Sequence, residues 1–133
     1  MEELAPPHVA TIREAAVIAG VPIELLFGVV QIESNFDRGA ISSAGARGLT
    51  QLMPGTWREL GVSDPFDARE NAIGGARHLR KMIDLHQGKI RLALAAYHAG
   101  SEAVRRAGGR APTLVTRLYV DAVLDAYLAY VTR

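Results

Sequence analysis

The residue best placed to do chemistry in this 133-residue sequence is Glu33, in the run GVVQIESNF. At helical spacing it continues an apolar stripe that a helix would turn toward the core. That stripe consists of Ile23, Leu26, Phe27 and Val30. Burial and the negative end of the helix dipole both disfavour the ionised form of a carboxyl group at this position. A carboxyl group in such an environment would keep its proton near neutral pH, as a general acid in the cleavage of a glycosidic bond requires.

A simpler interpretation of Glu33 is that it lies past the true end of the helix and is solvated. Another is that it forms an ion pair with Arg47 or Arg38. Periodicity alone favours these two interpretations, because buried carboxylates without a partner are rare.

Helices are expected to position this carboxyl group, because apolar residues recur with a period near 3.6 along most of the chain. The predicted helices begin at Pro7, Pro22, Pro54, Asp67, Lys89, Ser101 and Leu114. Residues 36 to 47 are rich in small residues and glycine and predict a loop. The fold class is thus mainly α, a single compact domain of several helices over residues 1 to 133, with at most a minimal β-hairpin near residues 41 to 52.

Several helix ends and faces carry specific predictions. Pro7 is expected in the first turn of the first helix, and Asp67 with Glu70 predicts a capping box. Ser101 is expected to cap a short helix. The segment KIRLALAAYHAG predicts a central helix that is buried on most sides. The predicted buried face of the last helix is Val120, Leu124, Tyr127 and Val131.

Composition narrows the class of protein. Hydrophobic residues make up 49% and charged residues 22%, which is typical of a globular domain with a packed core. The formal net charge is +1 and no long run of like charge occurs, so a nucleic-acid partner is not expected. There is no cysteine. No segment has the length and apolarity of a membrane span, and the acidic N-terminal stretch does not predict a secretory signal.

Three sequence blocks in order, ESNFDRGAISSAGARGLTQLMPGTW, AYHAG and TRLYV, resemble the soluble lytic transglycosylase (SLT) family. The resemblance runs from about residue 8 to the last helix and implies a goose-type lysozyme-like fold. It implies that Glu33 is the catalytic acid and base and that Ser34 supports it. It also implies substrate-binding positions at Ser42, Gln51, Tyr97, His98 and Tyr119.

Four positions depart from the family's usual pattern. They are Arg38 for proline, Thr50 for methionine, His98 for asparagine and Val115 for glutamate. None of them replaces the inferred acid. Thr50 and Val115 are expected to change how sugar and peptide are held, whereas His98 still offers a hydrogen-bond donor where asparagine would.

An ordinary glycosidase needs two carboxylates, but only Glu33 lies in a matched block. Asp37 is assigned to loop capping or to a solvated position. The resemblance implies that the substrate supplies the second group, so that the bond between N-acetylmuramic acid and N-acetylglucosamine is cleaved without water to give a 1,6-anhydro end. No cofactor and no metal are expected. The alternatives are a hydrolytic muramidase of the same fold and a catalytically weak wall-binding component of a phage virion or secretion apparatus.

The expected partner is the peptidoglycan glycan strand, and the chain is expected to be a monomer. Such a substrate implies an extracytoplasmic setting, in the periplasm or cell wall, or association with a phage virion. Because this sequence has no evident export signal, delivery by a larger protein or a virion is one way to reach that substrate.

Overall fold

The computed structural model describes residues 6 to 132 and is built from helices. Within those residues the helices are α1 (Val9–Ala19), α2 (Ile23–Ser34), α3 (Pro54–Glu59), α4 (Ala68–Leu85), α5 (Ile90–Ala99), α6 (Ser101–Arg106) and α7 (Leu114–Val131). Two isolated antiparallel bridges join Ile41 to Arg47 and Arg47 to Leu52. The prediction of a mainly α fold with a minimal hairpin is therefore confirmed.

Helix α2 runs through the centre of the molecule and packs closely on α7. Its six consecutive residues from Leu25 to Val30 are all buried, so it presents no solvated face along this stretch. Gly28 permits the close approach of α7, because a Cβ atom there would lie 2.9 Å from the carbonyl oxygen of Val123. Helices α1 and α4 pack together, and α5 packs on both α4 and α7. The C-terminal end of α2 is thereby fixed against the first turns of α7.

Three predicted helix starts need correction. Helix α1 begins at Val9 after His8, which adopts a left-handed conformation (φ 66°), so Pro7 lies outside the helix. Ser101 is the first residue of α6 and not its cap; its hydroxyl lies 3.3 Å from the sulfur of Met82. Asp67 does cap α4 by accepting from the Glu70 backbone N–H, but the Glu70 carboxylate binds Ser63 instead of completing a capping box.

The predicted buried face of the last helix was also partly wrong. Val120 is buried as expected, but Val131 is 49% exposed. The buried residues of α7 are Thr116, Tyr119, Val120, Val123 and Ala126. This face is rotated toward α2 and α5, and it includes two polar side chains that a purely apolar pattern cannot reveal. Helix α5, by contrast, is buried from Ala93 to Tyr97, as the sequence predicted.

The segment that joins α2 to α3 is held by the fully buried side chain of Asn71 on α4. Its Oδ1 accepts from the backbone N–H of Thr50 (2.8 Å) and from the Thr50 hydroxyl (2.6 Å). Its Nδ2 donates to the carbonyl oxygens of Arg47 and Pro65, both at 2.9 Å. One amide group thus satisfies four polar groups of two loops, which is what an irregular buried backbone needs.

We expect Asn71→Ala to lower the free energy of unfolding by about 3 kcal/mol or more, because it leaves several buried polar groups without partners. Urea denaturation followed by circular dichroism measures this change. Arg77→Ala, on the exposed side of the same helix, serves as the control and should change stability by less than about 0.5 kcal/mol. Equal stability of the two variants would show that the Asn71 hydrogen bonds are replaced by water.

Candidate active site

A cavity of about 260 Å³ opens between the end of α2, the α2–α3 loop, α4 and α5. It brings together five residues that the sequence singled out: Glu33, Ser42, Gln51, Tyr97 and His98. A second cavity of about 430 Å³ shares Met53, Thr56, His78, Tyr97 and His98 with the first. The two form one elongated groove with Glu33 toward one end. Such a shape suits a polymer better than a small compact ligand.

Glu33 occupies the last turn of α2, with its side chain half-buried at the groove. Its Oε2 accepts a hydrogen bond of 3.1 Å from the Tyr119 hydroxyl. Burial raises the pKa of Glu33 from about 4.5 to about 7, although the bond from Tyr119 acts in the opposite direction. The carboxyl group is therefore divided between its protonated and ionised forms near neutral pH, as a group that must first give and then take a proton requires.

The ordinary interpretations of Glu33 do not hold within residues 6 to 132. Neither Arg38 nor Arg47 forms an ion pair with it. The Arg47 guanidinium instead lies over the ring of Phe66, 5.8 Å from its centroid. Glu33 also lies within the helix and not beyond its end.

The wall of the groove opposite α5 is the loop that contains Gln51. The Gln51 side-chain amide donates to the carbonyl oxygens of Ala40 (3.1 Å) and Gly48 (3.0 Å), while its Oε1 has no partner in the described part of the chain. Ser42 accepts from the Ala46 backbone N–H at 3.0 Å, which leaves its hydroxyl proton for a ligand. Both side chains shape the loop and still present a polar atom to the groove.

Ser34 and Tyr119 are placed differently from the other predicted site residues, because neither lines the groove. The Ser34 hydroxyl donates to the carbonyl oxygen of Leu49 at 2.7 Å and so ties the end of α2 to the loop. Tyr119 is buried and reaches Glu33 from behind. Both residues act on the site through the acid and the loop that frame it.

Tyr97 presents its ring to the groove but directs its hydroxyl into the protein. The hydroxyl donates to the carbonyl oxygen of Thr50 at 2.8 Å, and burial raises the pKa of this phenol. The ring lies 5.0 Å from that of His78, which also lines the groove. Tyr97 is therefore an aromatic wall for a ligand as well as a third anchor for the loop.

His98 is held by two contacts on α7. Its ring stacks on Tyr119 with centroids 4.5 Å apart and an interplanar angle of 23°, and its Nδ1 lies 3.0 Å from the Thr116 hydroxyl oxygen. The Thr113 hydroxyl donates to that same oxygen. With Thr113 as the donor to Thr116, the geometry predicts that the Thr116 hydroxyl donates to His98 Nδ1 and that Nε2 carries the imidazole proton. Burial lowers the pKa of His98, which favours this neutral ring.

Some residues of the groove were not predicted from the sequence, and one residue was misplaced. His78, Met53 and Thr56 line the groove, although none of them was among the predicted site residues. Periodicity gives no signal for them, because they face a cavity that forms only when α3, α4 and α5 meet. Thr50 was expected to change how sugar and peptide are held, but it is fully buried, bound to Asn71 and not among the residues that line the groove.

The groove contains one carboxylate. Among the described residues that line its two parts, Glu33 is the only acid. Asp37 accepts from the backbone N–H of Gly39 at 2.9 Å, which is the loop-capping role that was expected of it. Within residues 6 to 132, no group of three or more histidine and acidic side chains is arranged to hold a metal ion, and no helix is long and apolar enough to cross a membrane.

Comparisons with known proteins agree with this geometry. The sequence model of the family described as Transglycosylase SLT domain matches residues 10–120. A transglycosylase of Enterobacteria phage PRD1 is 42% identical over 91 residues, which cover 68% of this chain and 34% of that protein. A membrane-bound lytic murein transglycosylase F of Thiobacillus denitrificans is 38% identical over 94 residues, which cover 66% of this chain and 20% of that protein.

Solved structures give the same result for the fold. Lytic transglycosylase Slt from Pseudomonas aeruginosa, in an inactive mutant form, superposes with a TM-score of 0.85 and 30% identity. The match covers 93% of this chain and 24% of that one. The 70 kDa soluble lytic transglycosylase from Escherichia coli gives a TM-score of 0.78 at 28% identity and covers 91% of this chain and 23% of that one. The helical lysozyme-like fold is confirmed, and the chain spans about a third or less of the length of these proteins.

We expect ¹⁵N NMR spectra at neutral pH to show His98 as the neutral tautomer that is protonated on Nε2, because Thr116 donates to Nδ1. Thr116→Val removes that donor and should bring the populations of the two tautomers closer together. Thr132→Val, at the exposed end of α7, is the control and should leave the His98 signals unchanged. A proton on Nδ1 in the unmodified chain would reverse the direction of the Thr116 bond.

We expect the stability of the chain to fall between pH 4.5 and about pH 7 because of Glu33. The unfolded carboxyl group loses its proton near pH 4.5, whereas the folded one keeps it to about pH 7. The native state therefore binds more protons in this window, and its stability is lost as pH rises through the folded pKa. Relative to Glu33→Gln, the free energy of unfolding of the unmodified chain should fall by about 2 kcal/mol between pH 4.5 and about pH 8.5. This figure is smaller than the full pKa difference implies, because solvent screens a half-buried group. Parallel pH dependences in urea denaturation would contradict the raised pKa.

Proposed function

The chain belongs to the transglycosylase SLT domain family, and from that premise we propose that it cleaves peptidoglycan glycan strands as a lytic transglycosylase. Its proposed bond is the β-1,4 linkage between N-acetylmuramic acid and N-acetylglucosamine, and its proposed product carries a 1,6-anhydro-muramoyl end. Glu33 serves as both general acid and general base. The substrate and the product are part of the proposal, because the chain covers only a fraction of its named relatives.

The observation that carries this proposal is the single carboxyl group of the groove, with its pKa raised to about 7 by burial. A retaining or inverting glycosidase places a second carboxylate about 5 to 10 Å from the first. The described residues that line this groove offer none. The second group must therefore come from the substrate or from water.

In the proposed mechanism, protonated Glu33 donates its proton to the glycosidic oxygen as the bond from C1 of the muramoyl sugar breaks. The N-acetyl carbonyl of the same sugar stabilises the positive charge that develops at C1. Glu33, now a carboxylate, takes the proton from the C6 hydroxyl of that sugar, whose oxygen bonds to C1. The leaving strand keeps the first proton, Glu33 recovers the second, and no water is consumed.

The Tyr119 hydroxyl has a role in both halves of this cycle. Its bond to Oε2 stabilises the carboxylate that remains after the first proton transfer, while burial stabilises the acid that precedes it. The two effects oppose each other and keep the two forms of Glu33 close in free energy. This balance suits a group that gives and takes a proton in one turnover.

Intramolecular attack by C6 requires that the sugar be held in one position, where the effective concentration of the hydroxyl far exceeds that of an unbound nucleophile. Polar atoms for this task are the Gln51 Oε1, the Ser42 hydroxyl and the Nε2–H of His98. The ring of Tyr97 supplies an apolar wall. We propose these four residues as substrate contacts, with Ser34 and Tyr119 as residues that position the loop and the acid.

We also propose that the whole chain is one catalytic domain, because the buried residues of all seven helices within residues 6 to 132 form one continuous core. An extracytoplasmic setting, in the cell wall or on a virion, follows from the proposed substrate. The names of the relatives, a phage transglycosylase and membrane-bound murein transglycosylases, support that setting. A monomeric state stays a prediction.

Mass spectrometry of the soluble products from purified peptidoglycan tests the reaction. We expect anhydro-muramoyl ends, lighter by one water than hydrolysed ends, and a fall in rate of at least about a hundredfold in Glu33→Gln. Asp37→Asn is the matched control, since an amide oxygen still caps the loop, and should keep the activity. Reducing ends would make the chain a hydrolase, and no release from the unmodified chain would favour a wall-binding role.

A further inference from the structure

A cavity of about 390 Å³ outside the groove lies between α5, α7 and the loop that precedes α7. Three arginines are among the residues that line it: Arg91, Arg110 and Arg117. Its remaining lining is apolar or glycine: Leu92, Ala95, Gly109, Ala111 and Val120. A cavity with a basic rim and an aliphatic floor suits a ligand that joins a carboxylate to an aliphatic carrier.

The charge of this cavity is not neutralised by the protein. Arg91 donates to Asp121 at 2.6 Å, so one of the three cations has a counter-charge. Within residues 6 to 132, Arg110 and Arg117 form no ion pair, although Asp121 lies one helical turn from Arg117. Two planar guanidinium forks therefore remain available for bidentate bonds to an oxyanion.

The cavity lies beside the catalytic groove along α5. Arg91 and His98 are seven residues apart on this helix, which places them about 10 Å apart along its axis and on nearly the same side of it. His98 lines the groove and Arg91 lines the basic cavity. An extended peptide advances about 3.3 Å per residue, so three or four residues cover that separation.

We propose that this cavity binds a carboxylate of a peptide attached to the glycan strand that occupies the groove. The inference rests on the proposed peptidoglycan substrate and assigns to it a second point of attachment. The arginines hold the carboxylate, and the apolar floor of Leu92, Ala95 and Val120 contacts the aliphatic part of the peptide. A polymer of phosphate groups joined by a polyol could bind the arginines, but it has no aliphatic part to contact the apolar floor.

An NMR titration tests the site without catalysis. The probes are acetyl-Ala-Glu-Ala, its neutral counterpart acetyl-Ala-Gln-Ala amide, and inorganic phosphate. We expect the acidic peptide to shift the arginine side-chain signals and the methyl signals of Leu92 and Val120. In the double variant Arg110→Gln with Arg117→Gln, affinity should fall about tenfold or more, because two charge-assisted contacts are lost. Arg13→Gln with Arg77→Gln removes the same charge from α1 and α4 and should bind as the unmodified chain does.

Three results of the titration would overturn the proposal. One is equal binding of the neutral peptide, which would exclude the carboxylate as the recognised group. Another is phosphate binding as tight as that of the acidic peptide, which would exclude the aliphatic part. The third is unchanged affinity in the Arg110 and Arg117 variant.

Cleavage rates separate this inference from the proposed function. We expect the unmodified chain to act about tenfold faster on intact peptidoglycan than on glycan strands whose peptides have been removed by an amidase. The Arg110 and Arg117 variant should act on both at the rate of the stripped strands. Equal rates of the unmodified chain on both substrates would overturn the peptide site alone. No cleavage of either substrate would reject the proposed function, while the titration still decides whether the cavity binds the peptide.

Discussion

The partial burial of one carboxyl group, Glu33 at the end of α2, is the constraint on which the rest of the structure depends. The pKa of a carboxyl group in this position rises to about 7 only if the helix that carries it is buried nearly to its last turn. The run of buried residues from Leu25 to Val30 does this, and Gly28 lets α7 approach closely enough for Tyr119 to reach the carboxylate. The pKa of the site is thus set by helix packing and not by a neighbouring charge.

The same constraint explains why an irregular loop is anchored so heavily. One wall of the groove must be polar backbone that can face a sugar, yet buried backbone needs partners. Asn71 from α4, Ser34 from α2 and Tyr97 from α5 supply them, each by a side-chain bond to a main-chain group between residues 47 and 50. Three helices that meet at the core therefore fix the loop from three sides. These bonds hold the loop in place, and the loop presents Gln51 and Ser42 to the groove.

Apolar periodicity, together with the proline, glycine and capping residues, predicted the helices. It also placed Glu33 at the end of an apolar stripe. Both predictions depend only on local spacing along the chain. The apolar stripe from Ile23 to Val30 leads to Glu33, and this spacing does not depend on the sequence elsewhere in the chain. The resemblance to the SLT family added Ser42, Gln51, Tyr97 and His98, which lie in separate segments and which the fold brings together at one groove. His78 and Met53 were missed because the cavity they face is made by three helices. The rotated face of α7 was missed because Thr116 and Tyr119 are buried for their hydrogen bonds and not for their apolarity.

Two of the departures from the family pattern are matched by neighbouring residues of this chain. Thr50 places a hydroxyl in a fully buried position, where Asn71 accepts its proton and Gly75 leaves room for it, since a Cβ at Gly75 would collide with that hydroxyl. His98 replaces an amide with a ring, and the ring stacks on Tyr119 and shares a hydrogen bond with the Thr116 hydroxyl. The side chains of Thr50 and His98 therefore both have hydrogen-bond partners within the protein, without a ligand. Because a buried polar group without such a partner costs about 1 to 3 kcal/mol, each of these two side chains depends on the residues it contacts.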